Sequence, residues 1–393
     1  MTASHRSRRD RHRGSAARWA AVLTGAAVIA ATCTVPAAET KTRTEEPPER
    51  KQIESAVDGA LKWLADKQIR VGTDKGYWDS PRYHTATASF VGLAFLANGH
   101  RPGRGPYGQV LDRAMRFVQE SMDAEGYLGG KDNSMYVHAA ATLFGLAYLG
   151  RSDSPDKEVE LAKWCRKSID LIVKAQKVAK PPAERGGWRY TPYARDSDLS
   201  VTSWQLLVLH AARQCGYEIP DAVFQAAMRY VNRGFTVQEV KDDKGKVIDR
   251  LPGFVYRPGV SGDVEPAVTG VAVFLKALLE KEPDEKTAQS LEYLKKFTPG
   301  WGGAQYKGYF FFGTFYMVQG MFQVGGPTWE EFAPRIQTIL LEHQEGDGHW
   351  ELPADNVPQS HLAGRAYATA LGVLILSIEK QYLPMYQRVK RIY

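Results

Sequence analysis

The chain has 393 residues, 44% of them hydrophobic and 24% charged, a composition that excludes disorder over most of its length and supplies a large core. Its formal charge is +7, but six Arg against one Asp fall within residues 1–37 and account for +5 of it. The +2 that remains gives no support to a basic face for nucleic acid.

In chain order, residues 1–38 read as a signal peptide. Arg6, Arg8, Arg9, Arg11, Arg13 and Arg18 precede an uncharged stretch from Trp19 to Ala38, whose apolar heart WAAVLTGAAVIAA matches a signal h-region and is short for a membrane span. Val35, Pro36 and Ala37 offer small residues for cleavage, so the chain is expected to be exported, to the periplasm or beyond, by a Sec signal. Ser7, Arg8 and Arg9 also suggest a twin-arginine route; a retained anchor or a lipoprotein at Cys33 is the alternative. Membrane contact is expected through this segment only. Residues 39–50, ETKTRTEEPPER, carry no apolar residue for a core and read as a flexible tether.

From residue 51 to 381 one unit recurs six times: an amphipathic helix, a Gly-aromatic turn, and a helix of Ala, Gly and apolar residues. The turns begin at Gly76, Gly126, Gly187, Gly253, Gly300 and Gly348. First helices such as IESAVDGALKWLADKQ carry charge on one side and large apolar residues at three and four spacing on the other, so they should face solvent. Second helices such as MYVHAAATLFGLAYLG are almost uncharged and apolar or small nearly all round, so they should be enclosed. Six inner and six outer helices close most simply into an all-α, α6/α6 toroid; an open helical solenoid is the alternative. The stretch Tyr309 to Trp329 is uncharged, but its Gly and Gln residues favour a buried inner helix over a membrane span. Residues 235–256 alternate β-branched residues about an Asp-Lys-Gly turn and predict an inserted β-hairpin, a surface flap. Residues 382–393 read as a C-terminal tail.

Gln344, Gly348 and Trp350, after Ile339-Leu340-Leu341, match the Gln-x3-Gly-x-Trp repeat of squalene cyclases, and GGWRYTPYARDSDLSVTSWQLLVL (186–209) has the cyclase pattern of a Gly-Trp turn before an Asp-rich helix start. The chain therefore resembles the prenyltransferase and squalene-oxidase repeat proteins, and its ending from Gln381 to Arg388 resembles their exported single-toroid members. The resemblance implies an α6/α6 toroid in which the repeat Trp packs between hairpins and the repeat Gln bonds to helix ends. It marks architecture and not, by itself, catalysis.

The catalytic question turns on Asp196 and Asp198. Class II terpene cyclases resemble this segment and use Asp-x-Asp-Asp, whose middle Asp protonates an isoprenoid; here Leu199 stands in place of the third Asp. Asp198 would then be the acid and Asp196 its tuning neighbour, because paired carboxylates can share a proton. The competing reading makes Asp198 or Ser200 the cap of the inner helix that follows.

The toroid would gather the other inner-helix starts at the same rim: His84, Tyr136 and His138, Asp263 and Glu265, Tyr309 to Phe312, and His361 with Arg365. Helix N-termini and aromatic faces there could hold an anion, an apolar guest or a cation. Trp188, Tyr309, Phe311 and Phe312 complete this candidate ligand site. No cofactor is expected and no metal: the zinc ligands of the protein prenyltransferases have no match, although His84, His138, His361 and Glu265 would offer a nitrogen and oxygen set if they met. The Cys-Gly-Glu-Gln segment of complement-type toroids is absent. Carbohydrate-active toroids use paired carboxylates across the mouth, a part open to Asp198 and Glu265. Cys165 and Cys215 sit at similar heights on neighbouring helices and suggest a disulfide. The expectation is an exported toroid binding an apolar or isoprenoid molecule, or a protein or glycan partner, without cyclase activity. A class II cyclase-like enzyme acting through Asp198 is the alternative, and a polysaccharide-processing toroid a third.

Overall fold

The structure is a computed structural model that describes residues 50–72, 74–130, 134–260, 262–280, 284–297, 300–302, 309–354 and 362–387. The signal segment, its cleavage site, all of the tether but Arg50, and the candidate His361 lie outside them.

Twelve α-helices alternate between two layers among the described residues. The outer six are α1 (Arg50–Asp66), α3 (Gly108–Glu120), α5 (Pro155–Gln176), α7 (Asp221–Arg233), α9 (Glu285–Lys295) and α11 (Gly326–Glu342). The inner six are α2 (His84–Ala97), α4 (Met135–Tyr148), α6 (Leu199–Gln214), α8 (Pro266–Leu279), α10 (Phe310–Val324) and α12 (Gly364–Leu376). Each inner helix packs on the next, and α12 returns to α2, so the fold is the α6/α6 toroid expected and not an open solenoid. The two kinds of helix follow from their patterns: α1 buries Val57, Ala60, Leu61 and Leu64 on one stripe, whereas α2 buries every residue from Thr87 to Ala97. Close approach inside the ring needs small residues. A Cβ on Gly320 of α10 would stand 2.7 Å from the Gly270 carbonyl of α8. No helix among the described residues is long and apolar enough to cross a membrane. The Tyr309 to Trp329 stretch instead divides into α10 and the start of α11, at Gly325.

One device repeats around the ring. The indole N–H groups of Trp78, Trp188 and Trp350 donate to the carbonyls of Leu64, Ile172 and Leu340, at 2.6, 2.8 and 2.7 Å, tying each turn to the end of α1, α5 or α11. Gln176 and Gln344 each donate to a turn carbonyl, Gly186 or Gly348, and to the next outer helix in the ring, at Val223 or Ala56. In the third turn it is Gly186, not Gly187, that holds the left-handed φ of 97°, because a Cβ there would meet the Ala226 carbonyl of α7 at 2.1 Å. The last turn meets the first helix, and this contact closes the circle: Trp63 of α1 donates to Asp347 at 3.0 Å and stacks on His349.

Strands β1 (Phe235–Lys241) and β2 (Val247–Phe254) form the inserted antiparallel hairpin, in register from Phe235 opposite Phe254 to Val240 opposite Asp249. It stands out from α8 and α9, and its foot is pinned where the Phe254 amide donates to Thr269. The far end of the ring is closed by the C-terminal segment. Leu383, Met385 and Tyr386 of the expected tail belong to the core, held by His210 donating to the Gln387 carbonyl at 2.6 Å and by Gln323 donating to that of Tyr386 at 3.2 Å. Cys165 on α5 and Cys215 after α6 are both free thiols, and the disulfide that their spacing suggests is not formed; burial pushes both thiols up, Cys215 to about 11.

Candidate functional site: the cavity at the inner-helix starts

Because all inner helices run the same way, their first turns converge on one end of the axis. There they enclose a cavity of about 650 Å³. Each inner helix contributes to its wall: Phe90 from α2, Tyr136 from α4, Trp204 from α6, Val268 from α8, Phe311 from α10 and Tyr367 from α12. Tyr190, Tyr256 and the 40% exposed Tyr309 stand at its mouth. Half of the lining residues are aromatic, and rings in and behind the wall pack edge to face: Phe90 meets Trp204 at 5.5 Å and Tyr367 at 5.4 Å, and Phe312 meets Tyr316 behind it at 4.7 Å. Among the described lining residues the acidic and basic ones are Glu265 and Arg82.

Six of the residues singled out in the sequence line this cavity: Tyr136, Glu265, Tyr309, Phe310, Phe311 and Phe312. The others are placed elsewhere. His138 is fully buried between α4 and α5, where its Nδ1 accepts from the Leu128 amide and its Nε2 donates to the Ser168 carbonyl at 3.1 Å. Those two partners fix its tautomer, and burial holds its pKa down to about 4, so it is a neutral structural group and not a ligand-binding one. Trp188 is committed to the Ile172 carbonyl and buried. His84 packs against the edge of Tyr77 at 5.0 Å, outside the cavity wall. Arg365 is spent on Glu351 at 2.7 Å, with most of its side chain in solvent. Of the imagined metal set, Glu265 is at the cavity, His84 and His138 are not, and no cluster of three His, Cys, Asp or Glu side chains occurs among the described residues.

Asp198 is the N-cap of α6. Its Oδ1 accepts the Val201 amide at 2.7 Å and its Oδ2 the Arg189 guanidinium at 2.7 Å, with no solvent exposure. Burial pushes its carboxyl up to about 6, against the pull of the Val201 amide and of Arg189. Asp196 is part-exposed and pairs with Arg189 at 3.3 Å and Arg257 at 3.4 Å. The two carboxylates are therefore shared out among guanidiniums. Burial lowers the Arg189 pKa, but the adjacent Asp198 charge outweighs it and holds the group cationic. Asp198 itself is not part of the wall; Tyr136, Tyr256 and Ser200, all of them near it, are.

The wall residues not anticipated in the sequence, among them Phe90, Ser200, Trp204, Tyr256 and Tyr367, share a signal. Apart from Tyr256, each lies in the first two turns of a nearly uncharged helix. Tyr256 is brought in from the foot of the hairpin, where its carbonyl accepts the Leu199 amide.

No protein-family model and no curated protein matches the chain. Solved structures do. The type II terpene cyclase MstE from Scytonema, in its apo form, is similar over 86% of this chain and 100% of its own, with a TM-score of 0.53 at 13% identity. An inactive variant of the α-1,6-mannanase GH76A of Salegentibacter sp. HEL1_6, in complex with α-1,6-mannotriose, is similar over 84% and 99%, at 0.55 and 9%. A family 76 glycoside hydrolase from a bovine Bacteroides thetaiotaomicron strain is similar over 84% and 78%, at 0.54 and 11%. At these identities the likeness is one of fold. It agrees with the squalene-cyclase-like toroid that the repeat residues predict.

Proposed function

We propose that this chain is an exported α/α-toroid protein that holds an apolar small molecule in its central cavity and does not cyclise it. The observation that carries this reading is the pairing of an aromatic cavity with an acid turned to structural use. A space of about 650 Å³ lies in the range that encloses a drug-sized guest. Protonating an alkene requires an acid whose proton faces the substrate. Asp198 has one oxygen on a backbone amide and the other on a guanidinium, and both partners favour its ionised form. A glycosidase requires two carboxyl groups across the scissile bond. Among the described residues lining the cavity only Glu265 brings one.

Incubating the purified protein with squalene, oxidosqualene and shorter prenyl diphosphates is expected to yield no cyclised product, while native mass spectrometry of material from the source cells retains a bound apolar compound. Cyclisation that disappears in Asp198→Asn would replace this reading with the cyclase one. A co-purified glycan or protein would replace the apolar guest. Export is checked by the mass of the secreted protein, expected to begin after Ala37.

A further inference from the structure

We propose that the guest carries a neutral oxygen acceptor, a ketone or quinone carbonyl, and turns it towards the first two turns of α6. The inference rests on the ligand-binding reading above and narrows it to a chemical class.

Trp204 and Ser200 both line the cavity and are 2% and 4% exposed. They are four residues apart on α6 and so share a face. The Trp204 Nε1 has no hydrogen-bond partner, and the Ser200 Oγ lies beside the Tyr136 and Tyr316 hydroxyls. A buried donor without an acceptor is costly and uncommon in native folds. Trp78, Trp188 and Trp350 each give their indole N–H to a carbonyl; Trp164 on the outer helix α5 also lacks an acceptor, and what sets Trp204 apart from it is its place in the cavity wall. Trp204 is also clamped: Phe315 stacks on it at 6.0 Å, with Phe90 and Tyr316 at 5.5 and 5.6 Å. The ring therefore cannot swing away to another partner, and a guest's oxygen is the acceptor that the cavity can supply.

Charge selects the kind of oxygen. The Asp198 carboxylate caps the same helix two residues before Ser200, and it acts electrostatically on Tyr136 across the same corner of the cavity. The nearby Arg189 is already paired with Asp196 and Asp198. A carboxylate or phosphate would meet this negative cap. An ammonium would suit the ring faces but would offer Trp204 nothing to accept. A neutral carbonyl meets both demands.

Farnesylacetone, an isoprenoid ketone, is the probe, set against three molecules of the same chain: the hydrocarbon with a methylidene group in place of the carbonyl, the carboxylate and the amine. Isothermal titration at pH 7 is expected to show the ketone binding about tenfold tighter than the hydrocarbon. In Trp204→Phe, which keeps a ring and loses the N–H, that preference is expected to vanish while hydrocarbon affinity stays within about twofold; Ser200→Ala should reduce it in part. Equal affinity of the native protein for ketone and hydrocarbon overturns the acceptor inference and leaves the ligand-binding reading standing. Tighter binding of the carboxylate or the amine overturns the neutrality argument. A ketone preference that survives in Trp204→Phe removes Trp204 from the site. Binding of none of the four overturns the ligand-binding reading itself.

Discussion

Acidification from pH 7 to pH 4 is expected to destabilise the fold through two buried imidazoles. His138 and His210 are 0% and 1% exposed, and burial holds each near pKa 4, although the carbonyls of Ser168 and Gln387 pull the other way. The unfolded chain takes up protons at these groups near pH 6.5, whereas the folded one does so only near 4. Their contribution is thus present above pH 6.5 and lost as pH falls towards 4, at about 3 kcal/mol for each histidine. Asp198 acts in the opposite sense. Its folded pKa of about 6 lies above that of a free carboxyl, so its protonated form favours the fold below pH 4 and that gain is lost as pH rises through 6. Over the same window it returns about 3 kcal/mol, roughly cancelling one histidine. Urea denaturation followed by circular dichroism at pH 7, 5.5 and 4.5 should therefore show a net loss. His210→Gln, which retains a donor for the Gln387 carbonyl, should largely flatten it. A native protein whose stability does not change across this range would mean that water reaches both imidazoles.

Gly348→Ala is expected to cost about 4 kcal/mol or more, placing it among the most damaging single changes available to this fold. Two costs combine. Gly348 has φ of 99°, a region that strains any residue with a Cβ, and that Cβ would stand 2.6 Å from the backbone carbon and oxygen of Gly59 on α1. To make room, the last turn must leave the first helix, and with it go the Trp63 bond to Asp347 and the Gln344 bond to the Ala56 carbonyl. Those contacts join the ring's end to its beginning, so the damage falls on closure itself. Gly346→Ala is the control: no atom lies within 4 Å of its would-be Cβ, and its cost should remain below about 0.5 kcal/mol. Thermal melts of the two variants side by side decide the matter. Similar losses would show that the seam is not what holds the ring.

Gly186 is the counterpart of Gly348 in the third turn, where a Gly-Gly pair offers two candidates in sequence and Gly187 is the one nearer the Trp. The close carbonyl of Ala226 that decides between them belongs to the next outer helix, about 40 residues away. The same limit applied to the histidines. His138 is in the first turn of an uncharged helix and reads as a rim residue, yet the roughly 200° of helical rotation between it and Tyr136 sends its side chain to Ser168 on α5 and not to the axis.

What the amino-acid order determined alone is the alternation of charged and uncharged helices, their number, the hairpin between them and the Gly-Trp turns. These are local periodicities, and a helix uncharged on every side has to be enclosed wherever the chain takes it. The tertiary structure alone decided which first-turn residues reach the axis. It also made Asp198 a cap paired with Arg189, left Trp204 without an acceptor, and drew Leu383 and Tyr386 into the core as the floor of the ring. Each of these depends on the rotation of a helix about its own axis and on partners far away in the chain. Spacing along a sequence specifies neither.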